Sequence, residues 1–202
     1  SVLKMRMDTT DPEAEIISEI EKSSLRARDL THQLLTFSKG GAPIKKVASI
    51  KNMVHDTVEF VLRGSGMKFN YHCDENLRNI EVDEGQIAQV INNISINAIQ
   101  AMPDGGNIRI TAQNREVVPG EAMPLDPGPY VMISIADEGS GIPYENLNKI
   151  FDPYFTTKEN GTGLGLASSF NIVRKHGGFI FAVSRHGGGA EIVFYLPAVS
   201  GR

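Results

Sequence analysis

The chain has 202 residues and a mass of 22.0 kDa, enough for one ordinary domain with an appendage or for two small domains. A hydrophobic fraction of 41% and a charged fraction of 22% exclude wholesale disorder. With 20 basic against 24 acidic residues the net charge is −4, which argues against a general nucleic-acid or anionic-membrane binder.

The single cysteine, Cys73, excludes an internal disulfide and a cysteine-based zinc cluster, and it fits a reducing compartment. Apolar runs are too short to span a bilayer, and no secretory signal pattern opens the chain. A cytoplasmic location is expected, without membrane contact by this stretch. The chain opens at Ser1 without an initiator Met, so it reads as a piece of something longer, with any membrane anchor upstream.

Residues 11–39 read as one helix, with Asp11 as N-cap and Pro12 at the first helical position. Ile16, Ile20, Ser23, Ala27, Leu30, Leu34 and Phe37 alternate steps of four and three, a coiled-coil-like seam. Gly40, Gly41 and Pro43 end it. One helix cannot bury such a seam. It either packs on the rest of the chain or belongs to a helical-hairpin dimerisation module whose first helix is absent.

Residues 44–199 read as a mixed α/β domain. A strand over 44–48 precedes a helix over 50–62 with Met53, Val54, Val58, Val61 and Leu62 inward. Strands are expected near 68–72 and 79–82, and a long helix over 84–102. The Pro103–Gly106 turn leads to a strand over 107–113. A proline-rich loop (Pro119, Pro124, Pro127, Pro129) precedes a strand over 130–136. After the loop-rich stretch 137–163 come a helix over 164–176 and strands over 178–184 and 190–196. Strands and helices mix without regular alternation, which favours an α+β two-layer sandwich over a doubly wound sheet. Three segments are expected: 1–40, a linker with first strand over 41–50, and the main domain over 51–199.

On the helix 84–102, Gln86, Gln89, Asn93, Asn97 and Gln100 share one arc of about 80°. Ile87, Ile91, Ile94, Ala98 and Met102 hold the neighbouring face, with Ile96 and Ile99 on the far flank. Such a stripe is either a solvated face or a row of amide oxygens serving a metal–phosphate complex. After the apolar strand comes Asp137-Glu138-Gly139-Ser140-Gly141-Ile142-Pro143. A carboxylate there can accept from an adenine amine and would repel guanine, and the glycines let a flat base approach; otherwise it is an acidic turn. Gly161-Thr162-Gly163-Leu164-Gly165-Leu166 opens an apolar helix and could cradle phosphates, or be a flexible helix start. It lacks the GK[ST] of a P-loop. Between these lies Phe151-Asp152-Pro153-Tyr154-Phe155-Thr156-Thr157-Lys158, whose aromatics read as a lid hinge or as core. Lys158 reads as a partner for a terminal phosphate or as a solvated charge.

Taken together, these features follow the order of the N, G1, F and G2 boxes of sensor histidine kinases, and the chain resembles that family. Asn93–Ala98 is similar to the N box, Asp137-x-Gly139-x-Gly141 to G1, Phe151–Lys158 to the F box and Gly161–Leu166 to G2. Gly187–Ala190 with Phe194–Pro197 resembles the closing strands, and Arg26–Leu35 the second helix of the dimerisation hairpin. The resemblance implies the Bergerat ATP-binding fold. It implies ATP and Mg²⁺ as cofactors, with Asn97 as metal ligand and Asn93 as support. Asp137 would read the adenine amine, Gly141 would line the base pocket, and residues 152–163 would form a lid. Gly163 and Gly165 would hold the phosphates, and Lys158 would join Asn93 and Asn97 in catalysis. The implied nucleotide-contacting set also takes in Gln100, Ala101, Gly139, Ile142, Thr157, Gly161, Thr162, Leu164 and Leu166.

The same resemblance implies a homodimer in the full-length protein and a response-regulator receiver domain as partner. It also implies a phosphoacceptor histidine, for which His32, His55, His72, His176 and His186 are poor fits. His176 reads as ordinary dipole complementation at a helix C-terminus. The acceptor is therefore expected before Ser1, and the isolated chain is expected not to autophosphorylate. Related hydrolysing ATPases carry a Glu base where this chain has Asn93, which favours kinase over ATPase chemistry. A hydrolysing ATPase and a non-catalytic scaffold are the remaining alternatives.

Overall fold

The computed structural model describes residues 16–18, 20, 24, 42–158, 161–185 and 188–199. The chain divides into two units, 1–40 and 41–202. In the first, residues 16–18, 20 and 24 are helical; the remaining seam positions and His32 lie outside the described residues. No helix among the described residues is long and apolar enough to cross a membrane.

The second unit is a two-layer sandwich. Its elements are β1 (Lys46–Ala48), α1 (Ile50–Leu62), β2 (Lys68–Cys73), β3 (Ile80–Val82), α2 (Glu84–Ala101), β4 (Asn107–Val117), β5 (Gly128–Ala136), α3 (Gly165–Lys175), β6 (Phe179–Ser184) and β7 (Ala190–Pro197). Five strands form one sheet in the order β2-β4-β5-β7-β6, and β1 and β3 form a separate two-stranded ribbon. Only β2 and β4 run parallel; the other pairs in the five-stranded sheet are antiparallel.

The period-two alternation of β4 and β5 sends Ile108, Ile110, Ala112, Val131, Ile133 and Ile135 to one face. Ile87, Ile91, Ile94 and Ala98 of α2 join that core, with Val54 and Val58 of α1 and Ile172 and Val173 of α3. On α1 the buried row is Ile50, Val54, Val58 and Leu62, while Met53 and Val61 are only half-buried. The opposite sheet face carries a smaller cluster of Val117, Tyr130, Val193 and Tyr195, against which Met123 and Leu125 of the proline-rich loop pack.

β4 runs four residues beyond its expected end, because Arg115 pairs with Tyr130 and Val117 with Gly128. The polar segment there is held by side chains: Asn114 N–H donates to Asp74 Oδ2 at 2.8 Å, and Asn114 Nδ2 to the Asn76 carbonyl at 2.8 Å. Asn76 and Asp74 sit some forty positions upstream, which hides this support from a local reading.

Candidate functional site

Asp83 fixes the start of α2. Its Oδ1 accepts from Gln86 N–H at 3.2 Å, satisfying a first-turn donor, and its Oδ2 accepts from Ile44 N–H at 3.1 Å. The amide stripe then divides. Gln86 and Gln89 lie roughly 12–16 Å along the axis from Asn97, and Gln86 Oε1 is buried without a hydrogen-bond partner among the described residues. The expectation that apolar groups wall the stripe on both sides is half right. Ile99 packs toward the core, but Ile96 is 39% exposed, so the far flank is open.

Asn93 joins α2 to α3. Its Nδ2 donates to the Gly165 carbonyl at 2.9 Å and to Ser169 Oγ at 3.3 Å, and Ser169 Oγ donates to the same carbonyl at 2.9 Å. With the nitrogen engaged, the oxygen is the end of this amide left for a ligand. The glycine-rich segment thereby meets the middle of the stripe. Leu164 occupies the N-cap of α3 and caps nothing with its side chain, and no acidic residue sits in the first turn. Thr162 Oγ1 accepts from Leu164 N–H at 3.4 Å. A helix start of this kind suits an anion.

One turn further along α2, Lys158 reaches the stripe. Its Nζ donates to Gln100 Oε1 at 2.6 Å and to Asn97 Oδ1 at 3.2 Å. Desolvation of the ammonium lowers the Lys158 pKa, while the charge of Asp137 opposes that shift. Two amide oxygens that hold an ammonium fit a hard cation, which takes oxygen ligands. Asn97 and Gln100 are thus the residues here that would hold Mg²⁺.

Asp137 ends β5 and is buried, with 8% exposure. Its Oδ1 accepts from Gly139 N–H at 2.9 Å and from Ala190 N–H at 3.2 Å. Its own N–H donates to the Ala190 carbonyl at 2.9 Å. A Cβ on Gly139 would stand 2.5 Å from the Ala101 carbonyl oxygen, so only glycine lets this turn abut the end of α2. Gly189 has φ +85°, and a Cβ there would stand 2.1 Å from the Asp137 carbonyl oxygen. Gly189 N–H donates to the Gly139 carbonyl at 2.7 Å. Gly189, Ala190 and Ser169 are therefore supports that the sequence reading missed. The glycine run before β7 was a local signal for the first, but nothing local links Ser169 to Asn93.

The aromatic segment splits between both readings offered for it. Phe151 and Phe155 pack against the core, and Phe151 lies 5.8 Å from Phe170 between ring centroids. Tyr154 is 67% exposed at φ +67°. Tyr154 N–H donates to the Gly163 carbonyl at 3.0 Å, and a Cβ on Gly163 would stand 2.3 Å from the Tyr154 carbonyl carbon. Gly161 N–H donates to the Lys158 carbonyl at 3.1 Å. Within the expected lid, residues 159 and 160 lie outside the described residues. Leu164 is buried, and Ile142 and Leu166 pack against the core. Gly141 (φ +75°) sits against Gly189, and Thr157 is exposed.

His176 stands at the C-terminus of α3 as expected, and its ring also reaches α2. It is 2% exposed, Nδ1 donates to the Ile172 carbonyl at 2.8 Å, and Nε2 accepts from Asp83 N–H at 3.0 Å. That pattern fixes the neutral ring with its proton on Nδ1. His55 and His72 are exposed on α1 and β2; His186 lies outside the described residues.

The family model for histidine kinase-, DNA gyrase B- and HSP90-like ATPases matches residues 82–200. Sensor kinase CckA of Brucella abortus (strain 2308) is 34% identical over 195 residues, which cover 93% of this chain and 21% of CckA. Sensor histidine kinase ZraS of Escherichia coli (strain K12) is 32% identical over 179 residues, 87% of this chain and 36% of ZraS. Histidine kinase ThkA, solved in complex with response regulator protein TrrA, aligns at 26% identity and a TM-score of 0.72, covering 97% of this chain and 54% of that one. The chain belongs to this ATPase family and carries the catalytic domain of a sensor histidine kinase. It spans well under half the length of the curated relatives CckA and ZraS.

Proposed function

We propose that residues 51–199 bind ATP with Mg²⁺ and that, in a complete kinase, they present its γ-phosphoryl to a histidine. One observation carries this reading. Between Asn93 and Ala101, about 12 Å of a single helix edge, α2 meets the glycine-rich start of α3, a cation held on amide oxygens, and the buried Asp137 turn. This convergence supports phosphate, metal and base positions for one nucleotide along that edge.

Each residue then has a task. Asp137, its Oδ1 held by two N–H groups, keeps a carboxylate oxygen for the exocyclic amine of adenine. Gly139 and Gly141 keep side chains away from the ring. Asn97 and Gln100 offer oxygens to the metal, and Asn93 holds the α3 N-terminus against them. Magnesium, when bound, neutralises charge on the phosphate oxygens. The first-turn amides of α3 and the Lys158 ammonium stabilise the rest of that charge. Asn93 cannot take a proton from water, which supports transfer to histidine over hydrolysis.

We further propose that residues 1–40 belong to a partial dimerisation hairpin, with its second helix over 11–39, joined to the main domain through residues 41–50. The acceptor histidine is none of the five in this chain, so the chain does not phosphorylate itself. The likeness to ThkA, solved with a response regulator, supports a receiver domain as the next acceptor. The reading is of a cytoplasmic signalling enzyme. Titration calorimetry with Mg·ATP tests its core: the unaltered chain binds, and Asn97→Ala loses the magnesium-dependent part. An EDTA-sensitive component that Asn97→Ala retains at the size seen in the unaltered chain would contradict it.

A further inference from the structure

We propose that Lys158 is a specificity determinant of this site: its ammonium competes with the divalent cation for Asn97 Oδ1 and thereby disfavours a nucleoside diphosphate relative to a triphosphate. The inference rests on the nucleotide reading above. Asn97 and Gln100 are three residues apart and so face the same way from α2. Their amide oxygens converge on one cation, Lys158 Nζ, at 3.2 and 2.6 Å. A metal ligated by Asn97 needs that same oxygen. An ammonium seated on it blocks the approach, and two cations on neighbouring positions repel in a partly desolvated site. Lys158 must leave before Asn97 can serve a divalent ion.

Where Lys158 goes sets the selectivity. Its backbone is tied down, with its N–H on Thr156 Oγ1 at 3.1 Å and its carbonyl accepting from Gly161 N–H at 3.1 Å. The flexible four-carbon stem is the part that moves. A triphosphate presents a terminal phosphoryl group with which the displaced ammonium forms a charge-assisted pair. A diphosphate ends one phosphoryl group earlier and returns less. The loss of two amide contacts is common to both ligands, so the difference in affinity comes from what replaces them.

The test is calorimetry of the full chain and of Lys158→Met with Mg·ADP and with the magnesium complex of a non-hydrolysable ATP analogue, each repeated in EDTA. Lys158 is exposed overall and takes no part in the hydrophobic core, so Met at this position leaves the packing of the fold intact. Mg·ADP is expected to bind Lys158→Met about tenfold more tightly than the unaltered chain, the worth of one hydrogen bond to a charged group. That gain disappears in EDTA, and the preference for triphosphate over diphosphate falls. An unchanged or weaker Mg·ADP affinity in the variant, or a gain that persists in EDTA, overturns the inference. Absence of any adenine-nucleotide binding by the unaltered chain defeats the nucleotide reading itself and this inference with it.

Discussion

Asp137 and Ser95 are both buried polar side chains, yet they have opposite standing. The carboxylate of Asp137 has two backbone N–H partners, so its burial is compensated. Ser95, in the same core region as Ile91 and Ile94, has 0% exposure, and its hydroxyl has no partner among the described residues. Replacing it removes an unsatisfied group and adds helix propensity. Ser95→Ala is therefore expected to raise stability by about 1 kcal/mol, seen as a higher urea midpoint at unchanged slope; a lowered midpoint would mean that the hydroxyl has a partner in solution. At this scale the sequence singles out residues but does not reveal their partners. Asn93 and Asn97 stand out from helix spacing, Asp137 from a strand end and Lys158 from the aromatic segment before the glycine-rich turn. That Asn93 spends its nitrogen on Gly165, 72 positions away, depends on how α2 and α3 pack.

Two side chains couple α2 to α3 at opposite ends of the contact: Asn93 at the start of α3 and His176 just past its end. Burial pushes the His176 pKa below its usual 6.5, and Lys45 adds to the shift, while the Ile172 carbonyl and Asp83 oppose it. The folded state then holds fewer protons than the unfolded chain in the interval below 6.5. Stability from this group is complete above about pH 6.5 and is lost as pH falls from there toward the lowered folded pKa. His176→Gln should flatten the pH dependence of the unfolding free energy below about pH 6.5 relative to the unaltered chain. An unchanged slope would show that the ring is already protonated when folded. The elements themselves were largely legible, since α2 and α3 carry clear helical spacing and β5 a clear apolar run. The far half of β4 was not, because its polar residues are held by long-range side-chain bonds and by pairing with β5.

Over the whole molecule, three separate segments reach one edge of α2. The order of those segments along the chain carries the family resemblance, but their convergence is set by the sheet. β5 delivers Asp137, and β7 delivers Ala190 beside it, through the register that pairs Ala136 with Glu191. Sequence spacing cannot express that register, so the Gly189–Ala190 step enters the sequence analysis only as part of the closing strands. It is in fact one wall of the Asp137 turn. The proposed function gives adenine recognition to the Asp137 carboxylate, and base selectivity is therefore its most direct test. Calorimetric titration of the chain with Mg·ATP and with Mg·GTP should give binding to the first and none to the second. Equal binding of the two, or no heat with Mg·ATP, would contradict it.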